Sequence, residues 1–111
     1  MVNGGNNCFG EYLKELIKAA GMTQTEFYTA LGIKKPYFYD IVSGRVNPPP
    51  HSLQFKAMEI LKADEETKEK FFDLAATGRG DMPADITQII TDDPTTIQSI
   101  RKDLKHHASK N

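Results

Sequence analysis

Apolar residues recur along most of the chain at helical spacing. Phe9, Tyr12, Leu13, Leu16, Ile17 and Ala20 fall at i, i+3, i+4, i+7, i+8 and i+11, a single stripe along one helix. Gly21 ends it as a C-terminal breaker. Thr23-Gln24-Thr25-Glu26 reads as a capping box that opens a second helix. Phe27, Ala30 and Leu31 form its inward side, and Gly32 stops it. A third, short helix is predicted from about Lys35 to Val42, with Pro36 in the first turn, where no amide hydrogen is needed. Phe38 and Ile41 point inward, which leaves Lys35, Tyr37, Tyr39 and Asp40 on the other sides. Tyr37 and Tyr39 are both expected to be exposed. Ser43-Gly44 terminates this helix. Arg45-Val46-Asn47-Pro48-Pro49-Pro50 then reads as a stiff, extended loop.

The pattern continues with a helix over about 52–62, carrying Leu53, Ala57, Ile60 and Leu61. Asp64 caps another over about 65–76, carrying Phe71, Phe72 and Ala75. Thr77 to Met82 holds two glycines and is the predicted linker. Beyond it, Pro83 opens a short helix with Ile86, Ile89 and Ile90. Asp93-Pro94 caps a last helix over about 94–106, with Ile97, Ile100 and Leu104. The polar tail from Lys105 to Asn111 is expected to fray. Alternating runs of β-branched residues between turn signals are missing from the pattern. The expected class is therefore all-α: a bundle of about five helices over residues 1–76, a linker over 77–82, and one or two helices in a C-terminal extension over 83–111.

Two short helices joined by a tight glycine turn, with an inward apolar set, describe a helix-turn-helix. Residues 12–50, YLKELIKAAGMTQTEFYTALGIKKPYFYDIVSGRVNPPP, resemble the Cro/repressor-type helix-turn-helix domain of the Xre, lambda-repressor-like family. The resemblance rests on Gly21-Met22-Thr23-Gln24, then Phe27, Ala30, Leu31, Gly32 and Ile33, then Phe38, Ile41, Gly44 and Asn47-Pro48. It implies that the second helix of the motif reads the major groove of double-stranded DNA while the first crosses the backbone. Gln24 then stands where a phosphate is bonded, and Thr23 with its neighbouring amides forms a helix N-terminus suited to an anion. Lys34, Ser43, Arg45 and Asn47 complete the implied phosphate set. Lys35, Pro36, Tyr37 and Asp40 match base-facing positions, with Tyr39 beside them. Phosphate contacts would position the domain and the reading helix would specify sequence.

Two departures from the family pattern matter. Lys34 stands where a Ser or Thr usually caps the reading helix, which loses a cap worth about 1 kcal/mol. Pro36, Tyr37 and Tyr39 make the reading surface apolar and aromatic, suited to thymine methyl groups or to a protein. Asp40 repels phosphate and is suited to accept from a cytosine amino group.

Composition narrows the remaining classes. The chain has 111 residues, 39% hydrophobic and 26% charged, which fits one globular domain with a short appendage. No apolar run approaches the roughly 20 residues of a membrane span, and no signal peptide is expected. Cys8 is the single cysteine. This excludes an intrachain disulfide and fits a reducing, cytoplasmic setting, in a bacterium or encoded by a phage. Cys8 has no His or Asp constellation around it in sequence. The acidic positions Glu11, Glu15, Asp64, Glu65, Glu66 and Glu69 read as solvated helix faces. His106-His107 point in different directions with no Cys or acidic set at zinc spacing. Gly78-Arg79-Gly80 lacks the strand and helix of a phosphate loop. No enzyme activity, cofactor or metal is expected.

A net charge of −1, taken over the whole chain, argues against DNA. Up to Pro50, however, five basic residues (Lys14, Lys18, Lys34, Lys35, Arg45) face four acidic ones (Glu11, Glu15, Glu26, Asp40). Three of those cations lie in or beside the reading helix. This predicts modest non-specific affinity, with tight binding dependent on dimerisation and helix-terminus contacts. In the back third, Ile97, Ile100 and Leu104 either fold onto the front domain, pair across a two-fold axis, or meet a protein such as the toxin of a toxin–antitoxin pair. The expected function is a DNA-binding transcriptional regulator, a repressor on a near-palindromic operator as a homodimer. The alternative is a protein-interaction module such as an antitoxin. About 30 residues beyond the linker are too few for a sensor domain of usual size.

Overall fold

The chain folds into helices α1 (Gly4–Ala19), α2 (Gln24–Leu31), α3 (Lys35–Ser43), α4 (His51–Leu61), α5 (Glu65–Arg79), α6 (Ala84–Asp92) and α7 (Thr95–Ser109). The computed structural model describes the backbone of residues 4–109 and the side chains of residues 8–106. Among the described residues there is no strand, as an all-α bundle requires.

Local chemistry fixes the short elements. Thr23 Oγ1 accepts from the Glu26 amide at 3.0 Å, and Glu26 Oε1 accepts from the Thr23 amide at 2.9 Å. Two otherwise orphaned donors at the start of α2 are thereby satisfied. Gly32 closes α2 at φ 86° and Gly44 closes α3 at φ 81°, a left-handed conformation that other residues enter at a cost. Asp64 opens α5, accepting from the Thr67 amide at 2.8 Å. Its hydrogen bonds from Thr67 hold this exposed carboxyl below the usual carboxylate range. What the cap contributes is therefore present above that range and fades as pH falls through the lowered value.

The core is where five helices meet. Phe27, Phe38 and Phe71 are fully buried, with Leu13 and Ile17 of α1 and Met58 of α4 beside them. Phe9 and Phe71 lie 5.0 Å apart between ring centroids, which ties α1 to α5. Helix α1 also packs along α3, and this contact has no room for a side chain at Gly10. A Cβ there would strike the Val42 carbonyl oxygen.

Three details differ from the periodicity. Ala20 falls in the turn after α1, and Ala30 is exposed, because the two-turn α2 meets the core along the line Phe27–Leu31. Helix α5 runs to Arg79, so residues 77–79 of the expected linker are helical. Gly78 is there for close packing rather than for freedom: a Cβ would lie 2.8 Å from the Pro48 ring. The polar tail is helical as far as Ser109. Residues 110–111 and the His107 side chain lie outside the described residues.

Helix α6 folds back onto α4 and α5, burying Ala84, and α7 packs on α6. The radius of gyration is 16.2 Å, against about 13 Å for a compact chain of this length. Helix α7 has α6 as its main neighbour, and the pair leaves large apolar side chains uncovered: Ile86, Ile89, Ile97, Ile100 and Leu104 are all exposed.

Gly10→Ala is expected to destabilise the chain by about 1–3 kcal/mol, the usual range for overpacking. The obstacle is backbone rather than a movable side chain. Urea denaturation with Ala19→Gly as an exposed-helix control measures it, and an unchanged midpoint would show that α1 and α3 are not held as described.

Candidate nucleic-acid interface

Helix α3 is pinned from behind. Phe38, Ile41 and Val42 are buried, and the Phe38 ring lies 6.1 Å from Phe27 and 5.3 Å from Tyr28. The opposite side of α3 faces solvent with Lys35, Pro36, Tyr39 and Ser43. Lys34 caps the helix with no side-chain hydrogen bond and Pro36 lies in its first turn, as the sequence implied. Lys35 Nζ sits 5.9 Å over the Tyr39 ring, within cation–π range. Tyr39 is 43% exposed. Tyr37 is half-buried and packs against the core, which corrects the expectation that both tyrosines are free. It lies one helical turn before the buried Ile41, whereas Tyr39 lies one turn before the exposed Ser43.

Gln24, Tyr39, Asp40, Ser43 and Arg45 line one shallow cleft between α1, the start of α2 and the end of α3. Glu11 and Lys14 line the same cleft, so Glu11 is not remote from the motif. Lys14 Nζ lies 3.1 Å from Glu11 Oε2. Arg45 Nε lies 3.6 Å from Asp40 Oδ1, with the Arg45 side chain 77% exposed. Exposed pairs of this kind contribute about 0–1 kcal/mol and exchange partners readily. Asp40 thus offsets Arg45 until a stronger anion displaces it. Ser43 Oγ donates to the Asp40 carbonyl at 3.2 Å, and that carbonyl also accepts from the Arg45 amide at 2.9 Å. Thr23 is exposed, its hydroxyl oxygen taken up by the cap. Lys34, Lys35 and Pro36 stand at the other end of α3. Asn47 does not join the cleft and instead lines a depression with Gly44, Val46 and Pro48 against α1 and α5.

Two residues outside the expected set shape this region. Pro48 and Pro49 are buried, and prolines accept hydrogen bonds but donate none from the backbone. The Pro49 carbonyl accepts from Gln54 Nε2 at 2.8 Å and the Pro48 carbonyl from Arg79 Nη1 at 3.0 Å. Gln54 is 1% exposed. The available sequence signal for Gln54 was its place on the apolar stripe of α4, one turn before Ala57 and Met58. Arg79 carries no such local signal, since it lies thirty-one residues from its partner.

A sequence model of the helix-turn-helix domain matches residues 9–71, more than half of the chain. The chain belongs to the helix-turn-helix domain family. Neither the curated proteins nor the solved structures searched contain a match. The matched span runs from α1 into α5 and includes the α2–turn–α3 unit. Membership makes the chain a DNA-binding regulator in the general sense, of a kind that typically binds rather than catalyses. Among the described residues, no helix is long and apolar enough to cross a membrane. No group of three or more His, Cys, Asp or Glu that could hold a metal is found among them either.

Lys34→Ser is expected to stabilise the helix-turn-helix domain by about 1 kcal/mol by supplying the missing cap. Urea unfolding reads the gain, and no gain would mean that α3 starts elsewhere.

Proposed function

We propose that the chain is a transcriptional repressor that binds a near-palindromic operator as a homodimer and acts where the DNA is. The observation that supports DNA reading is the orientation of α3. Its apolar side is locked by Phe38, Ile41 and Val42, so Lys35, Pro36, Tyr39 and Asp40 face outward together. In this reading Lys35, Pro36, Tyr39 and Asp40 meet base edges, with Tyr37 reaching them only by its exposed rim. Thr23, Gln24, Lys34, Ser43, Arg45 and Asn47 meet phosphate. Occupancy of a promoter would then exclude polymerase with no chemistry by the protein.

Dimerisation is supported by the uncovered face of α6–α7. Ile97, Ile100 and Leu104 expose 39%, 39% and 64% of their surface, and Ile89 exposes 54%. Charge is sorted along this pair. Asp85, Asp92 and Asp93 lie on or beside α6, whereas α7 carries Arg101, Lys102 and Lys105 against the single acid Asp103. An isologous two-fold contact places α6 of each copy against α7 of the other, so opposite charges flank the apolar stripe. Two reading helices in such a dimer address half-sites about 34–36 Å apart. A second reading, an antitoxin-like protein module, is favoured by the exposed apolar Pro36 and Tyr39 on α3.

Fluorescence anisotropy on random duplex and on sites selected from random DNA tests the first reading. With about four phosphates neutralised by Lys34 and Arg45 of two copies, affinity should fall about a hundredfold between about 50 and about 200 mM salt. Arg45→Ala should weaken all sequences alike, whereas Tyr39→Ala should relax preference. Identical profiles for both variants would overturn the assigned roles, and absent binding at low salt would favour the protein partner. Leu104→Asp should yield monomers in sedimentation equilibrium, and an intact dimer would remove α7 from the interface.

A further inference from the structure

We infer that Arg79 is a positioning residue for the loop that follows α3, and that it couples this loop to the C-terminal helical pair. The inference rests on the DNA-binding reading above, but its structural part does not. Residues 45–50 leave α3 through Arg45 and Asn47 and end in three prolines. Such a loop has few donors with which to brace itself. Its carbonyls are held from outside instead. Arg79 Nη1 donates to the Pro48 oxygen at 3.0 Å, and Gln54 Nε2 donates to the Pro49 oxygen at 2.8 Å.

Arg79 is itself oriented. Its Nε donates to Asp81 Oδ2 at 2.9 Å, so the two sides of one guanidinium face a carboxylate and a carbonyl. A planar, rigid fork is suited to such a bridge. The same Asp81 oxygen lies 3.5 Å from His51 Nε2, whose nitrogen is buried without a hydrogen-bond partner. One carboxylate at the α5–α6 turn therefore faces the last residue of α5 and the first residue of α4. Gly78 allows this seat, because any side chain there would strike the Pro48 ring. All three residues of the bridge that precede α6, Arg79, Gly78 and Asp81, lie beyond the matched residues 9–71. Helix α6 begins three residues after Asp81, so a shift of the α6–α7 pair pulls on Asp81, then on Arg79, then on Pro48 and the adjacent Asn47.

The test is a double-mutant cycle on the full chain, measured on duplex DNA at fixed salt. A hydrogen bond to a charged donor supports an expectation that Arg79→Ala weakens binding about tenfold while the chain stays folded. Arg79→Lys, which restores a single donor, should recover part of the loss. In a chain already carrying Arg45→Ala and Asn47→Ala, adding Arg79→Ala should weaken binding by no more than about twofold, because the loop no longer contributes. Independently of DNA, amide exchange at Val46 and Asn47 should speed up in Arg79→Ala and leave Ile17 and Phe38 unchanged. Unchanged exchange at Val46 and Asn47 would overturn the positioning role whatever the DNA data show. A full tenfold loss in the loop-altered background would also overturn it, since Arg79 would then be acting independently of the loop. If the unaltered chain fails to bind DNA but exchange responds as expected, the DNA-binding reading falls and with it the functional part, while the clamp stands.

Discussion

Everything presented on the outer side of α3 depends on how its inner side is held. Phe38 sits against Phe27 and Tyr28, and Val42 lies under the α1 backbone at Gly10. A helix of nine residues is too short to be stable in water by propensity alone. Its register must therefore come from these contacts. Turning α3 by one residue would expose Phe38 and bury Tyr39, a change of roughly 1.5–3 kcal/mol for the phenylalanine alone. The apolar core thus sets which polar side chains face out, and the candidate recognition surface is its by-product.

The next constraint is the loop after α3. Three successive prolines make it stiff and leave it short of donors. Burial of two of them would strand carbonyl oxygens, which is costly, unless side chains from elsewhere reach them. Gln54 does so from α4 and Arg79 from α5. The loop is held by the rest of the bundle rather than by itself. A pre-ordered loop loses less freedom when it meets a ligand, so the same bonds that satisfy the prolines also favour recognition.

Much of this was legible in the chain. The Thr23–Glu26 capping box, the Gly32 and Gly44 stops and the Pro36 start are local signals, and each forms as read. The aromatic anchors Phe27, Phe38 and Phe71 followed from spacing. What spacing could not show is tertiary. Gly78 looks like linker in sequence, yet its meaning is set by Pro48, thirty positions earlier. Tyr37 and Tyr39 straddle Phe38 symmetrically in sequence, and only the direction from which the core approaches α3 decides which is half-covered. Glu11 read as part of a solvated face of another helix, but the crossing of α1 and α3 brings it to the cleft that holds Gln24 and Arg45. Arg79 carried no signal at all, because its partner carbonyl is a backbone group that any residue would provide.

Charge is the remaining constraint. The cleft pairs Arg45 with Asp40 and Lys14 with Glu11, so its long-range field is weak even though cations are present. Lys34 and Lys35 at the other end of α3 are exposed cations. A surface of this kind gains little from electrostatic steering and must rely on close fit and on repetition. In the proposed dimer, symmetry would supply the repetition, since two copies would double every phosphate contact while the loss of overall freedom on binding is incurred once. The same reasoning explains why rigidity matters here. On the proposed function, where few charges attract the DNA, the ordering of Arg45 and Asn47 before contact would become a large share of the affinity. On the proposed function, a near-neutral domain with a braced proline loop and an uncovered, charge-sorted helical pair is one consistent design: weak alone, selective when paired.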